Sequence, residues 1–215
     1  MTAPPATVAL PEALPTFVPD ARYSVEEWLA IEEVTGEKYE YHDGRLVSVR
    51  GMAGGTWRHA LIGNNCGAVA FNLLKARADQ FADCNTLSSD LRVNIPGTTR
   101  YVYSDLTIVC GAPRFDEVVP TAIVNPLVVF EVTSPSSRDY DENLKFDFYG
   151  RLDALREYVI VHQHRRSVEV RSRTETSATW RTRLYAEDDG GFALDALGGA
   201  EFPYADVYRG WSASK

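Results

Sequence analysis

Two acidic residues stand inside runs that otherwise read as apolar strands: Asp105 in the run over residues 101–110 and Glu131 in the run over residues 127–133. A carboxylate in such a run is costly to bury without a partner. If the two strands are neighbours, both side chains project from one sheet edge or face. They then either share a proton or bind a divalent cation, and Mg²⁺ favours oxygen ligands of this kind with several waters retained. The plainer alternative is that Asp105 caps a turn and Glu131 answers a basic residue such as Arg92. For either acid alone that alternative is the stronger reading.

Other groups join by spacing. The two-residue period of a strand puts Val129, Glu131 and Thr133 on one face and Val128, Phe130 and Val132 on the other. Lys145 lies in the next helical segment, where Asp141, Lys145, Phe148 and Leu152 form one stripe at i, i+4, i+7 and i+11. The alternative for Lys145 is an Asp141–Lys145 helix pair worth roughly 0.2 to 0.5 kcal/mol. His59 begins a long helix and is read as solvated; His162 and His164 share an extended face and are read as exposed. Arg156, Arg165, Arg166, Arg171, Arg173, Arg181 and Arg183 give the C-terminal half a local basic character, the best candidate for a phosphate-facing surface, with a solvated sheet face as the default.

The elements that must position these groups can be read in turn. Residues 1–19, rich in Ala and Pro, read as a flexible arm, and residues 20–215 as one domain. Ser24 with Glu27 three residues later has the capping-box form and opens a helix that Gly36 ends. Residues 38–49 alternate around Asp43-Gly44, the signature of a β-hairpin, with Tyr39 and Tyr41 on one face and Glu40 on the other. Gly51 to Gly55 breaks the pattern, and residues 56–78 have helical spacing. Strands are expected over 86–95, 101–110 and 127–133, a helix over 139–152, and further strands over 156–161, 167–173 and 180–186. The class is α/β or mixed α+β, a mixed β-sheet flanked by helices with an extra N-terminal helix and β-hairpin.

Bulk properties narrow the partners. The chain has 215 residues and a formal net charge of −8, so a nucleic-acid partner needs a local basic face. Its three cysteines, Cys66, Cys84 and Cys110, are far apart without CxxC spacing, which argues for buried thiols over a disulfide framework or a zinc knuckle. No apolar segment approaches the roughly 20 residues that span a bilayer, and the N-terminus lacks the order of a secretory signal. The expectation is a soluble, cytoplasmic protein with no membrane partner.

The ordered set Tyr39-Glu-Tyr-His-Asp-Gly44, Tyr103-Ser-Asp105, the residues 129–136, the residues 141–149 and Leu155-Arg-Glu-Tyr158 resembles the Uma-type putative restriction endonucleases, a branch of the PD-(D/E)XK nuclease superfamily. The resemblance runs from about Tyr23 to Trp211. It implies a restriction-endonuclease-like core, a four-stranded mixed sheet between helices with a metal held by carboxylates at one edge. By position, Asp105 matches the acid of the PD pair, Glu131 the acid of (D/E)XK, and Glu40 an upstream glutamate that often joins such sites. Ser104 stands where the proline would, and Thr133 where the lysine would. Lys145 is the candidate for a lysine relocated to the next helix.

The activity implied is hydrolysis of DNA phosphodiester bonds with Mg²⁺ or Mn²⁺, with Asp105, Glu131, Lys145 and Glu40 catalytic and Asp105, Glu131 and Glu40 at the metal; a homodimer is a family expectation. A second reading keeps the fold as a non-catalytic nucleic-acid-binding or regulatory module. A third is a metal-dependent hydrolase of another phosphoester.

Overall fold

The computed structural model describes residues 17–49, 56–133 and 140–212, with side chains from 143 in the last segment. Residues 1–16 of the arm expected over 1–19, the Gly51 to Gly55 break and the Ser/Pro-rich residues 134–139 lie outside the described residues. Phe17 is described, and its ring packs on Tyr39 at 4.9 Å between centroids.

The N-terminal reading holds in detail. Helix α1, Val25–Thr35, starts with the reciprocal Ser24–Glu27 box and ends at Gly36 with φ 66, where a residue with no Cβ enters the left-handed region at no steric cost. Strands β1, Tyr39–His42, and β2, Arg45–Ser48, form the hairpin. Its turn residues Asp43 and Gly44 both have positive φ, as the tight turn requires. Trp28 of α1 is fully buried and stacks on Tyr41, so Tyr39 and Tyr41 face the helix and Glu40 faces away from it.

Helix α2, Trp57–Ala76, is capped by Thr56, whose side chain accepts from His59 N. Its buried residues Arg58, Ile62, Cys66, Ala70 and Leu74 recur strictly at i+4, one stripe facing one surface. A short helix, α3, Ala78–Phe81, follows.

The strands expected over 86–95 and 101–110 are each two strands in different sheets. Strands β3, Cys84–Ser88, and β6, Leu106–Cys110, pair in one sheet; β4, Arg92–Ile95, and β5, Arg100–Tyr103, pair in the other. Between the two paired regions Ser89, Asp90 and Leu91 lie opposite Ser104 and Asp105. That extra residue bends the hairpin as a β-bulge does. Asp105 therefore stands at the bend and not within a strand.

The larger sheet completes itself with β8, Val128–Thr133, β9, Glu157–His162, β10, Val168–Ser172, and β11, Arg181–Tyr185, in the order β11-β10-β9-β8-β6-β3. Only β8 and β9 run parallel in it. Both are buried along their whole length, which is why they read as near-continuous apolar runs. The smaller sheet has the order β2-β1-β5-β4-β7, with β7 at Ala122–Ile123. The implied four-stranded sheet is thus part of a six-stranded mixed one.

The faces of β8 divide as expected. Val128, Phe130 and Val132 pack with Ile62, Cys66 and Ala70 of α2. Val129 packs with Val93 and Val102 of the smaller sheet and with Phe148. The face carrying Glu131 is the one turned toward the smaller sheet.

The expected helix over 139–152 is a π-helical turn, Tyr140–Lys145, running into α4, Phe146–Tyr149. The Asp141 side chain lies outside the described residues, and Leu152 lies beyond the helix but inside the core. A C-terminal hairpin, β12, Gly191–Leu194, with β13, Ala200–Pro203, then α5, Tyr204–Val207, closes over the α2 side; the sequence patterns did not single it out.

Cys84 and Cys110 are direct cross-strand partners of β3 and β6 and form a disulfide. This overturns the expectation of thiols. A separation of 26 residues says nothing about spatial distance until the strand register sets the two opposite each other. Cys66 is the buried free thiol.

Candidate active site

Glu131 sits in the middle of β8, 3% exposed. The partner it finds is Lys145: Nζ is 3.0 Å from Glu131 Oε2, 3.2 Å from Glu40 Oε1 and 2.9 Å from the Tyr103 carbonyl oxygen. An ammonium has three donors, and three oxygens from three elements receive them. Arg92, the alternative partner for Glu131, is taken by Glu32 instead.

Glu40 is fully buried. Its Oε1 also accepts from Tyr103 N at 3.3 Å, and its Oε2 lies 3.2 Å from His42 Nε2. Tyr103 thus holds both members of the Glu40–Lys145 pair through its backbone. Its own phenol donates to both oxygens of Glu32 at 3.0 Å. Burial first, and the Glu32 charge with it, push that phenol above its ordinary value, so it remains a donor.

Asp105 comes from the bend. Its N–H donates to Phe130 O at 3.1 Å, and its Oδ2 accepts from Val132 N at 2.7 Å. The side chain therefore continues the β6–β8 ladder past the point where the backbone leaves it. The β6–β8 pairing ends at Leu106 and Phe130, and Asp105 holds on to β8 through the Phe130 carbonyl and the Val132 amide, one on either side of Glu131. Both acids belong to the same stretch of the sheet, with the Asp105 carboxylate turned to His59 and the α2 groove and the Glu131 carboxylate turned to Lys145.

His59, read as solvated, reaches Asp105 from the first turn of α2, with Nε2 at 3.2 Å from Oδ2. His162, read as exposed, is buried at the end of β9, where Nδ1 lies 3.1 Å from Thr133 Oγ1; His164 is exposed. The place of the motif lysine thus holds a hydroxyl and an imidazole, and the ammonium arrives from the following helix.

Asp105 and His59 also line an open groove of about 560 Å³ between α2 and β3, together with Ala60, Gly63, Thr86 and Ser88. The small side chains on that helix face keep the approach to Asp105 open.

Most of the C-terminal arginines are engaged within the chain. Arg171 pairs with Glu169 and stacks on Phe146. Arg173 donates to the carbonyls of Gly150, Leu152 and Leu155, Arg156 to those of Asp153 and Leu155, and Arg166 pairs with Glu187. Arg165 lies 3.2 Å from His162 Nε2. These guanidiniums stabilise loops; Arg181 and Arg183 remain exposed on β11.

Among the described residues no group of three or more His, Cys, Asp and Glu side chains is arranged to hold a metal. Asp105 and Glu131 carry hard carboxylate oxygens, the donor type that Mg²⁺ takes, commonly one or two with water for the rest. Glu40 is engaged by Lys145, Tyr103 and His42.

With this geometry in place, the sequence matches the family described as Uma2, putative restriction endonuclease, over residues 25–205. The chain belongs to that family. Among similar proteins, the uncharacterized Synechocystis protein slr1290 is 30% identical over 192 residues, covering 89% of this chain and 94% of its own. A second Synechocystis protein, sll1609, is 29% identical over 139 residues, 64% of this chain and 73% of its own. The crystal structure of a putative nuclease belonging to DUF820 from Anabaena variabilis matches with a TM-score of 0.61 at 13% identity, covering 82% of this chain and 92% of that one. The last likeness establishes the fold. No helix among the described residues is long and apolar enough to cross a membrane.

Proposed function

We propose that this Uma2 member is a DNA endonuclease that uses a divalent cation, with Asp105 and Glu131 as the metal-holding acids and Lys145 as the relocated lysine. The observation that carries the reading is the Lys145 ammonium seated between Glu131 and Glu40 beside the Asp105 bend. A bound Mg²⁺ or Mn²⁺ supplies a water of lowered pKa and neutralises charge that builds on the phosphate.

The chain's own groups do the rest. Asp105 is fixed by the Val132 amide, so its carboxylate direction costs nothing to organise when substrate arrives. Lys145 keeps a positive charge at a buried point next to Glu131, where it orients water and offsets negative charge in the transition state. Glu40 sets the position of Lys145 from the opposite sheet. His59 holds Asp105 from the groove side.

A second reading has its own support. Lys145 already satisfies two buried acids without any metal, as a nucleic-acid-binding module without catalysis would require. The two separate on one assay: cleavage of supercoiled plasmid with Mg²⁺ or Mn²⁺ by the wild type, its loss in Glu131→Gln with duplex binding kept. Binding without cleavage in the wild type selects the second reading.

A further inference from the structure

Arg58 heads the buried stripe of α2, four residues before Ile62. It is 8% exposed, and among the described residues its guanidinium makes one polar contact, with His164 Nδ1 at 3.4 Å. A guanidinium carries five donors and cannot be deprotonated in a protein. Burying one with no carboxylate opposite is among the costliest arrangements a fold can hold.

A second unused donor lies beside it. Gln163, fully buried, accepts the Thr56 hydroxyl on Oε1 at 2.5 Å, and its Nε2 has no partner among the described residues. Thr56 Oγ1 accepts from His59 N and donates its own proton to the Gln163 oxygen, which leaves the amide nitrogen as the end of Gln163 turned away from Thr56.

Thr56 is the cap of α2, a helix of 20 residues with no acid in its first turn. Three features therefore meet at this end of α2: a positive helix end, a largely buried guanidinium with no carboxylate partner among the described residues, and an amide N–H with no acceptor among them. Each is complementary to an anion with several acceptor oxygens. The next residue along the helix is His59, which faces Asp105.

We infer that Arg58, Gln163 and the N-terminus of α2 form a phosphate-binding subsite that holds a nucleic-acid backbone phosphate next to the one at Asp105. The phosphate chemistry follows from the donors alone; its place in a nucleic-acid strand rests on the nuclease reading.

The test uses the full chain in EDTA, so no divalent ion or cleavage enters. Inorganic phosphate is titrated by calorimetry and thermal shift into the wild type, Arg58→Met and Gln163→Leu. A short duplex is then titrated at several salt concentrations. The expected result is phosphate binding by the wild type and about 10- to 100-fold weaker binding by Arg58→Met. The salt slope for duplex binding falls by about one. In phosphate-free buffer Arg58→Met is as stable as the wild type or more so, because an uncompensated buried charge is gone.

Equal phosphate affinity in wild type and Arg58→Met, or no binding by the wild type, overturns the subsite. So does an Arg58→Met that is less stable without phosphate, which marks a structural arginine. If that variant does not fold, Gln163→Leu with unchanged phosphate affinity overturns it equally. Phosphate binding that holds while duplex binding is insensitive to Arg58 keeps a free-phosphate site and removes the nucleic-acid assignment. Absence of plasmid cleavage alone leaves the phosphate result standing, so the two proposals fail separately.

Discussion

Lys145 Nζ lies 3.0 Å from Glu131 Oε2 although 14 residues separate them, and the π-helical turn Tyr140–Lys145 delivers the ammonium to the middle of a central strand. Removing it leaves Glu131 and Glu40 buried without their shared cation. Lys145→Met should cost about 3–5 kcal/mol of stability in EDTA, part of which a divalent ion restores by taking the carboxylates. Urea unfolding with and without Mn²⁺ reads this directly. Cleavage should fall about 10²- to 10³-fold. A variant as stable as the wild type in EDTA would contradict that pairing role for Lys145.

His59 touches Asp105 from the groove. Groups that orient a metal ligand typically contribute 10- to 100-fold to affinity or activity. His59→Ala should weaken Mn²⁺ binding by about that factor, measured by calorimetry, while changing the unfolding midpoint little; unchanged affinity would leave His59 as a bystander.

The cysteines give a clean count. Cys84 and Cys110 are bonded to each other, and burial pushes the Cys66 thiol up to about 12. Iodoacetamide should label none of the three cysteines in the native, unreduced protein, Cys66 alone after denaturation, and all of them after denaturation with reductant. Intact-mass spectrometry distinguishes these states; labelling of Cys84 before reduction would contradict the bond.

Glu157, at the start of β9, is almost fully buried and accepts from Asp195 N at 2.8 Å and Ala196 N at 3.3 Å. Desolvation outweighs those bonds and raises its carboxyl from 4.5 to about 7. The native chain then holds a proton that the unfolded chain has lost. Stability from this group is full below about pH 4.5 and is lost as pH rises through 7, by about 3 kcal/mol. Glu157→Gln is neutral throughout and should flatten that decline. Thermal unfolding from about pH 5 to 8 measures the difference between the two slopes.

The parts of this fold legible in sequence are those governed by local rules. Ser24, Glu27 and Gly36 bounded α1, and Asp43-Gly44 set the hairpin that aims Glu40. The alternation in β8 correctly put Glu131 on the face opposite Phe130. Long-range choices were hidden. Nothing local in 86–95 or 101–110 marks the change of sheet, because it depends on three residues lying opposite two. His59 was read as solvated because its partner is 46 positions away (105 − 59). The roles of Arg173 and Arg166 were hidden because their partners, the carbonyls of Gly150, Leu152 and Leu155 and the carboxylate of Glu187, are set by tertiary packing. One signal was available and unused: Arg58 stands at the head of an otherwise apolar i+4 stripe, a place where a charge asks for an explanation.

Joint binding of a divalent cation by Asp105 and Glu131 is tested without any substrate by calorimetric titration of Mn²⁺ into the wild type and the Asp105→Asn, Glu131→Gln double variant. Saturable binding is expected for the wild type and none for a double variant that stays folded by circular dichroism. A wild type that binds no Mn²⁺, or a double variant that binds it equally well, contradicts joint binding.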